Sequence, residues 1–542
     1  MLKKYLILPA LPYANGPIHL GHLLEHIPIN IIYNSFNMYN RNTLYICASD
    51  SHGTPIEMKA KENMQDPCLY IEEHRKSHEL SFNQFGITFN GGYQSTHQKD
   101  NIVNIYKIFN ILEKNGNIFK NFTQLFFDNV KKRFLSDRFV KGQCPFCKED
   151  DQNSDSCEKC GSTYDSTTLI KPISIISKST PILKFSKDYF LDLKKNSKNL
   201  ERWISNNNII NKDIKKYVEF WFKVGLKPWC ISRNRPYFGI KFPNNKAKYF
   251  YVWIDAPLCY IGITNLKRLN VKYSDYWKNY SAYIIHIIGK DIIYFHTLFW
   301  PSILIGIKYK LPSKILVHGM LTINGQKLSK SKNNFITAQK FGETINPEIL
   351  RYYFGSKFGN NISDINFSAS DIVNKTNGNL INNSINLLSR TIALINKFYS
   401  NSLMNIKKHE IKNFNDICFL SKKSISMYIK CNIAEAISCA LQISSIGNQY
   451  FQSTSPWNTI KTDRYKAHED ICRSLWIGKV GFLLLKPVIP NMTKQLESLL
   501  NINIVKFTNI FDNFSQNQKV NQYEAISKRI DLADINKIFS RI

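Results

Sequence analysis

The feature that most constrains the fold lies at the start of the chain. There, a short apolar run at residues 5–8 precedes a glycine-containing segment at residues 12–22. An apolar strand, a turn with glycine and the first turn of a helix form a site for nucleotide phosphates. His19 and His22 stand three residues apart at the predicted helix start, so both would lie on one helix face. Gly21 leaves room for a nucleotide against the backbone. The segment predicts a nucleotide-binding domain, and the alternative for the histidines is a helix cap or core pair.

A second motif far along the chain carries closely spaced lysines. Residues 325–332 read GQKLSKSK and follow another apolar run at residues 315–319. Lys327 and Lys330 would hold negative phosphate groups from the side opposite the histidines. Each motif alone occurs by chance in long basic chains. The two motifs in this order and context favour one phosphate site built from distant parts of the chain.

The apolar pattern divides the chain into five segments. Residues 1–97 alternate between strands and helices, with strands predicted at 4–9 and 43–48 and helices at 20–40, 54–64 and 68–85. Residues 98–232 break this rhythm as an insertion, and residues 233–320 resume it with strand-length apolar runs at 249–255 and 284–291. Residues 321–383 carry the lysine loop, and residues 384–542 show long helical periodicity. We therefore predict a split α/β domain followed by an α-helical bundle, with the ligand at the carboxyl ends of the strands.

Four of the twelve cysteines are paired within the insertion. Cys144, Cys147, Cys157 and Cys160 have the spacing C-x2-C-x9-C-x2-C. Paired knuckles of this spacing predict one tetrahedral zinc ion, and the alternatives are disulfides or an iron–sulfur site. Sulfur would fill all four positions, so the predicted metal is structural and not catalytic.

Composition permits a nucleic-acid partner without establishing one. The chain has 72 Lys and Arg against 41 Asp and Glu, a formal net charge of +31, which suits a polyanion. Asn, Ile, Lys, Phe and Tyr are abundant throughout, as in proteins encoded by AT-rich genomes, so part of this charge is compositional. The scattered single cysteines suit a reducing compartment. No stretch of about 20 apolar residues is present, and two prolines interrupt the apolar start, which argues against a secretory signal. We expect a soluble, cytoplasmic protein without a membrane segment.

Several further segments make the chain resemble the methionyl-tRNA synthetase family of class I aminoacyl-tRNA synthetases, bacterial type. In addition to the two motifs, these segments lie at residues 47–55, 137–142, 231–233, 251–257, 289–296 and 456–457. The resemblance implies a Rossmann-like domain split by a zinc-containing insertion. It also implies that the chain activates L-methionine with ATP to methionyl-adenylate and pyrophosphate, then transfers methionine to the 3′-terminal adenosine of tRNA(Met) for initiation and elongation. The methionine carboxylate is already an anion, so this chemistry needs positioning and positive charge more than a general base.

The resemblance also implies site residues. It assigns catalysis to His19, His22, Lys327 and Lys330, and ATP binding, with Mg²⁺, to these four and to Gly21, Ser329 and Ser331. It assigns methionine binding to Ala10, Leu11, Tyr13, Asp50, Arg233, Trp253, Ala256, Pro257, Tyr260, Ile292 and His296. Asp50 would hold the α-ammonium and Arg233 would position the carboxylate or adenylate, while the Tyr260 hydroxyl could donate to the sulfur. An apolar, polarizable thioether suits such an aromatic pocket; the alternative for the aromatic residues is ordinary core packing.

The helical part would bind the tRNA anticodon. The resemblance assigns this to Asn386, Arg390 and Trp457, with Asn386 and Arg390 on one helix face and Trp457 as a stacking surface. The alternative for Trp457 is a packing anchor between helices. Because the sequence ends at Ile542 without an appended dimerisation domain, we expect a monomer.

Other functions fit the sequence less well. Leucyl, isoleucyl and valyl enzymes would need a larger editing insertion than residues 98–232, and a cysteinyl enzyme would place zinc-binding cysteine in its active site. A small-molecule nucleotidyltransferase would not need the cysteine knuckles or a long helical C-terminal part. A non-catalytic RNA-binding relative of a synthetase would not need both motifs together with Asp50.

Overall fold

The chain begins with alternating strands and helices, as the apolar pattern predicts. The computed structural model describes residues 3–136, 139–154, 157, 159–160, 162, 164–206, 209–323, 325–327, 335–359 and 362–539. Up to residue 97 its elements are β1 (Lys4–Pro9), α1 (Leu20–Met38), β2 (Asn42–Tyr45), β3 (Ala48–Ser49), α2 (Thr54–Glu62), α3 (Pro67–Gln84) and β4 (Gln94–Ser95). The strand at 4–9 and the three helices are confirmed with ends within two residues, whereas the strand expected at 43–48 is divided into β2 and β3.

A long antiparallel ladder forms the centre of the next segment. The elements are α4 (Lys99–Lys114), β5 (Ile118–Asp128), β6 (Arg133–Phe134), β7 (Val140–Gln143), β8 (Gln152–Asn153), β9 (Ile170–Ser174), β10 (Ile182–Leu191), α5 (Ser197–Ser205), α6 (Lys212–Val224) and β11 (Trp229–Cys230). Strands β5 and β10 pair along their lengths, from Ile118↔Leu191 to Phe127↔Ile182. Strands β8, β7 and β9 form a separate small sheet around the cysteine knuckles.

The α/β pattern then resumes and completes a parallel sheet. The elements are β12 (Ser232–Asn234), β13 (Lys241–Phe242), β14 (Asn245–Phe250), α7 (Val252–Thr264), α8 (Ser274–Trp277), β15 (Tyr283–Gly289), α9 (Trp300–Gly306), β16 (Lys314–His318), β17 (Leu321–Ile323) and β18 (Gln326–Lys327). The main sheet has the order β16-β15-β1-β2, and all three pairings are parallel. Its central strands, β1 and β15, come from opposite sides of the insertion, so the split α/β domain is confirmed.

One predicted strand is wrong. In the apolar run 249–255, strand β14 ends at Phe250 and helix α7 begins at Val252. Every residue of α7 from Ile254 to Thr264 is buried. A helix buried on all sides has no polar face, so its sequence reads like a buried strand. The error matters because α7 carries several predicted pocket residues.

Helices dominate the remainder and pack directly onto the α/β part. The elements are α10 (Ala338–Thr344), α11 (Pro347–Lys357), β19 (Ile365–Phe367), α12 (Ala369–Lys375), α13 (Asn386–Phe398), α14 (Phe414–Ile429), α15 (Ile433–Thr454), α16 (Pro456–Thr459), α17 (Arg464–Leu483), α18 (Pro490–Leu500) and α19 (Leu532–Phe539). One apolar core runs from Tyr5 in β1 to Ile538 in α19. The predicted helical part is confirmed, while the boundaries drawn at 97/98, 232/233, 320/321 and 383/384 stay predictions. No helix among the described residues is both long enough and apolar enough to cross a membrane.

Candidate active site

A cavity of about 620 Å³ opens at the carboxyl edge of the main sheet. Strands β1, β15 and β16 end there, and residues at or just after their ends, among them Ala10, Gly289 and His318, line it. Ligands of open α/β sheets bind at this edge. All eleven residues predicted to contact methionine lie along its wall, and so do His19, Gly21 and His22.

The histidine pair caps helix α1 and faces this cavity. Nδ1 of His19 accepts a hydrogen bond from the Gly21 backbone N–H at 3.1 Å, and Nδ1 of His22 accepts from the His19 N–H at 3.2 Å. The two rings stack with centroids 3.8 Å apart. In the neutral rings the proton therefore sits on Nε2, which makes each Nε2 a donor. Both Nδ1 atoms therefore cap helix α1, as one alternative for the histidines predicted, and the two rings also line the cavity.

The loop with the second motif starts and ends beside the histidines. Met320 and Leu321, just before it, line the cavity. After it, the Leu20 N–H donates to the Ile336 carbonyl at 3.0 Å, and Ala338 N–H donates to Ile18 at 2.9 Å. Lys327 lies in strand β18. Ser329, Lys330 and Ser331 fall outside the described residues, so their predicted roles stay predictions.

Asp50 and Tyr13 lie side by side on the cavity wall. The Ala14 N–H donates to the Asp50 carbonyl, and the Asp50 N–H donates to Pro12, both at 2.8 Å, which holds the two segments together. Oδ1 of Asp50 is buried and has no hydrogen-bond partner among the described residues. Burial, and then the charge of Asp255, raise the pKa of Asp50 well above its usual range. A buried carboxylate without a donor is a natural place for a bound cation.

Gly53 is required where the chain passes Tyr13. Its φ is +114°, and a Cβ there would lie 2.6 Å from the Tyr13 hydroxyl oxygen. That hydroxyl donates to the His52 carbonyl at 2.7 Å. The glycine therefore keeps the Tyr13 ring in place beside Asp50.

An aromatic stack forms the apolar end of the cavity. The Trp253 indole lies flat on Phe295, with centroids 3.7 Å apart and planes at 7°, and its edge meets His296. Burial lowers the pKa of His296 to about 4, so the ring is neutral at pH 7. Its Nδ1 lies 3.2 Å from the Ile292 carbonyl, an obligate acceptor, which leaves Nε2 as an acceptor. Phe295 was not among the predicted residues, although it directly precedes His296.

The Tyr260 hydroxyl is already engaged by the protein. It donates to the Pro9 carbonyl at 2.5 Å, and the side chain is buried. A hydroxyl has one hydrogen to donate, so the expectation that it donates to a thioether sulfur is wrong for this structure. Tyr260 instead ties helix α7 to the end of strand β1.

Arg233 stands on a strand that a buried ion pair holds in place. Its guanidinium lies over the Tyr251 ring at 3.7 Å, and Nη1 donates to the Ser232 carbonyl at 2.9 Å. Next to it, Asp188 in β10 accepts hydrogen bonds from Lys248 and from the Ser232 hydroxyl, each at 2.6 Å. Through Asp188, strand β10 of the insertion thereby fixes the position of β12. The sequence motifs do not indicate this contact.

The sequence motifs also do not indicate a second pair, Glu25 and His318. This pair joins the end of β1, helix α1 and the end of β16 beside the cavity. Oε1 of Glu25 accepts from the Ala10 N–H at 2.7 Å, and Oε2 lies 3.2 Å from Nε2 of His318. Nδ1 of His318 lies 2.8 Å from the Gly319 carbonyl. Burial alone lowers the pKa of His318, but the hydrogen bond and charge of Glu25 raise it above its usual value. The signal available in the sequence was that Glu25 stands three residues after His22 on the same helix.

The four cysteines of the knuckles meet at one point. Their Sγ atoms all lie within 4.8 Å of one another, with 3.9 Å between Cys144 and Cys160 and 3.5 Å between Cys147 and Cys157. Sulfurs about 2.3 Å from a tetrahedral zinc ion would be about 3.8 Å apart. The cluster therefore has the donor set and size of a four-thiolate metal site.

In the helical part, two of the three predicted anticodon residues touch. The Arg390 guanidinium lies 5.6 Å from the Trp457 ring centroid and 4.6 Å from that of Phe451. Trp457 is half-buried and packs on Phe451 at 5.2 Å. Asn386 is exposed one helical turn before Arg390 in α13. The three predicted residues thus lie in one region of the helical part, and buried Phe451 packs beneath Arg390 and Trp457.

Comparisons with known proteins agree over the whole chain. The family described as "tRNA synthetases class I (M)" matches residues 5–392, and "Anticodon binding domain of methionyl tRNA ligase" matches residues 422–530. The methionine–tRNA ligase of Wigglesworthia glossinidia brevipalpis is 41% identical over 99% of this chain and 98% of its own length. That of Blochmanniella floridana is 38% identical over 99% of both chains.

Solved structures support the same fold. Mycobacterium tuberculosis methionyl-tRNA synthetase in complex with methionyl-adenylate aligns with a TM-score of 0.81 at 19% identity, covering 97% of this chain and 99% of that chain. Its free form aligns with a TM-score of 0.74 at 17% identity, covering 98% and 99%. The α/β domain with a helical C-terminal part is therefore an architecture that these proteins share.

Proposed function

The chain belongs to the methionyl-tRNA synthetase family, and we propose that it joins methionine to ATP in the cavity at the edge of the main sheet. It is a methionine–tRNA ligase: it forms methionyl-adenylate and pyrophosphate, then transfers methionine to the 3′-terminal adenosine of tRNA(Met). The observation that carries the site assignment is that one cavity gathers His19, Gly21 and His22 with all eleven predicted methionine contacts. These residues come from segments up to 286 positions apart, between Ala10 and His296.

Asp50 and the aromatic stack would bind methionine at its two ends. Oδ1 of Asp50, which is buried and accepts no hydrogen bond from the described residues, would accept one from the α-ammonium, and the ammonium would be its counter-ion. The Trp253 ring and Tyr13 would surround the thioether, with Ala10, Leu11, Ala256, Pro257, Tyr260, Ile292 and His296 completing the wall. Arg233 would hold the carboxylate in line with the α-phosphorus of ATP.

His19 and His22 would bind ATP from the helix α1 side. Their Nε2 donors, together with the start of the helix, suit phosphate oxygens that gain negative charge as the carboxylate attacks. Lys327 and Lys330 would neutralise the departing pyrophosphate, with Ser329 and Ser331 as further contacts. Mg²⁺ would accompany ATP and share that charge. Because the nucleophile is an anion, no side chain has to remove a proton from it.

Zinc is the metal we propose for Cys144, Cys147, Cys157 and Cys160. Four thiolates at tetrahedral spacing favour zinc, and they leave no open coordination position for a substrate. The ion would hold the small sheet of β7, β8 and β9 together and would take no part in the chemistry.

The Arg390–Trp457 region would read the anticodon. An exposed amide, a guanidinium and a half-buried indole together offer hydrogen bonds and a stacking surface to unstacked bases. We further propose that the enzyme acts in the cytoplasm, because the scattered single cysteines suit a reducing compartment.

ATP–pyrophosphate exchange across a panel of amino acids tests the activity. The exchange should depend on methionine and not on leucine, isoleucine, valine or cysteine. Purified protein should contain one zinc ion per chain by elemental analysis. Exchange that depends on another amino acid, or on none, would contradict the proposal.

A further inference from the structure

A second cavity, of about 720 Å³, lies apart from the active-site cavity. One wall is helix α4, and the other is the end of helix α7 with the short 3₁₀ turn Lys267–Leu269 that follows it. The two helices pack closely, because Asn104 of α4 donates to the Leu258 carbonyl of α7 at 3.1 Å, and a Cβ on Gly262 would lie 3.0 Å from the Asn101 side-chain oxygen. No described residue lines both cavities. The volume falls in the range of pockets that bind small molecules, about 300–1,000 Å³.

Unpaired positive charge surrounds the second cavity. Lys99 and Lys107 of α4 and Lys267 and Arg268 of the turn line it, and all four are exposed at its rim. Among the residues that the structure describes, none pairs these four side chains with a carboxylate. Asp100 is the only described carboxylate that lines the cavity. Four cations against one carboxylate attract a ligand that carries several negative charges.

The same charge acts on a tyrosine of the cavity wall. Tyr273 lines the cavity, and Nζ of Lys278 lies 5.8 Å from its ring centroid. Burial raises the pKa of Tyr273, but a hydrogen bond with Tyr309 and then the charges of Lys278 and Lys107 lower it below its usual value. The Tyr273 hydroxyl therefore stands in a positive potential.

The floor of the second cavity is apolar. Buried Ile108 and Ile261 line it together with half-buried Leu266. The rings of Tyr273 and Tyr309 also line it, with centroids 6.4 Å apart. Such a surface suits a flat ring system, such as a nucleobase, better than it suits a free phosphate.

We propose that this cavity is a second nucleotide site, which binds a nucleoside polyphosphate. The base would lie on the apolar floor, against Ile108 and Leu266. Lys107 and Arg268 would contact the phosphates from opposite walls, and the other two cations would add to the attraction. The site is separate from the active-site cavity, so the proposal does not rest on the proposed function.

A strand of RNA is a poorer occupant of this cavity. Proteins that bind single strands place their positive charges in a groove that follows the backbone over several nucleotides. Here the cations converge on one cavity from two walls, helix α4 and the turn after α7. This arrangement concentrates the charge on one compact polyanion.

Binding of GTP to an enzyme whose active site is occupied tests the proposal. A non-reactive methionyl-adenylate analogue first fills the active-site cavity, and titration calorimetry then measures GTP binding to the whole chain. One GTP should bind per chain. Tripolyphosphate, which lacks the nucleoside, should bind about 5- to 150-fold more weakly, the value of stacking one base. Lys107→Glu and Arg268→Glu should each weaken GTP binding by about tenfold or more, because repulsion replaces a charge-assisted contact.

The matched control is Lys114→Glu. Lys114 is exposed in the last turn of α4 and does not line the cavity, so the same change of charge there should leave GTP binding unchanged. Absent GTP binding at millimolar concentration, equal affinity for GTP and tripolyphosphate, or equal losses in Lys107→Glu and Lys114→Glu would each overturn the proposal. So would a Lys107→Glu variant that binds GTP normally but has a lower kcat/KM for tRNA, since these cations would then serve RNA.

Discussion

At the scale of single residues, surroundings decide what a side chain can do. Asp50 is an ordinary carboxyl in the sequence, but burial and then the charge of Asp255 raise its pKa, and no residue that the structure describes donates to its Oδ1. Tyr260 shows the reverse case, because the Pro9 carbonyl already takes its only hydrogen. The Asp50 carboxyl can therefore accept a hydrogen bond from a ligand, whereas the Tyr260 hydroxyl already makes a hydrogen bond within the protein.

Asp50→Asn should raise KM for methionine in pyrophosphate exchange by about 10²-fold or more. The change would leave the ammonium of methionine without the buried counter-ion that we propose, at a cost of roughly 3–5 kcal/mol. In the wild type, KM for methionine should increase as the pH falls, because a raised pKa lets Asp50 become protonated at a higher pH than an ordinary carboxyl. The variant should lack this acid-side dependence. Equal pH profiles in both proteins would contradict the role of Asp50.

At the scale of elements, we expect the small sheet of β7, β8 and β9 to depend on its four cysteines. Its strands are only two to five residues long, and such short strands do not form a stable sheet by themselves. A few apolar residues, including Phe126 and Val140, pack between this sheet and the β5–β10 ladder. Metal binding is therefore expected to contribute much of the local folding energy.

Cys157→Ser should release the metal and loosen residues 98–232 first. Elemental analysis should find less than one zinc ion per chain, and hydrogen exchange should speed up in β7 to β9 before it does in the helical part. Cys418→Ser is the control, since Cys418 is a half-exposed cysteine outside the cluster. A metal-free wild type with full activity would contradict a structural zinc.

In the helical part, Trp457→Ala tests the proposed anticodon contact separately from the proposed active site. Trp457→Ala should lower kcat/KM for tRNA charging about 5- to 150-fold, the value of one base–aromatic stack, while pyrophosphate exchange stays near wild type. The Arg390–Phe451 contact is left intact by this change. If Trp457 only packs between helices, the melting temperature should drop and both activities should fall together.

At the scale of the whole molecule, one buried arginine joins the α/β and helical parts. Nε and Nη2 of Arg351 donate to the Val488 and Pro487 carbonyls, and Nη1 donates to Asn30 and Phe85. Burial lowers its pKa to about 10, so it remains charged at neutral pH. Its four acceptors come from α1, from the end of α3 and from the segment between α17 and α18.

Arg351→Met should destabilise the protein by about 3–5 kcal/mol, because four buried acceptors lose their donor. Thermal unfolding should show the loss as a lower melting temperature for both parts together. Arg529→Met is the control, since exposed Arg529 makes a surface hydrogen bond to Asn382. A variant as stable as the wild type would mean that the packing of the apolar core alone holds the α/β and helical parts together.

The sequence by itself determined the fold class, the cysteine cluster and most of the candidate pocket. The apolar pattern located β1, α1, α2 and α3 within two residues, because apolar residues concentrate in the elements that the core buries. The spacing of the cysteines was enough to place their sulfurs together. Both signals are local, since each depends on residues that are close in the chain.

Only the tertiary structure decided how distant segments meet. The Glu25–His318 pair, the Asp188–Lys248 pair below Arg233 and the Trp253–Phe295 stack each join residues that no short motif contains. Helix α7 was mistaken for a strand at its start, because complete burial removes the polar face that distinguishes the two periods. The engagement of Tyr260 likewise depends on the end of β1 lying next to α7. Such contacts are properties of packing, and packing is settled only when the whole chain is folded.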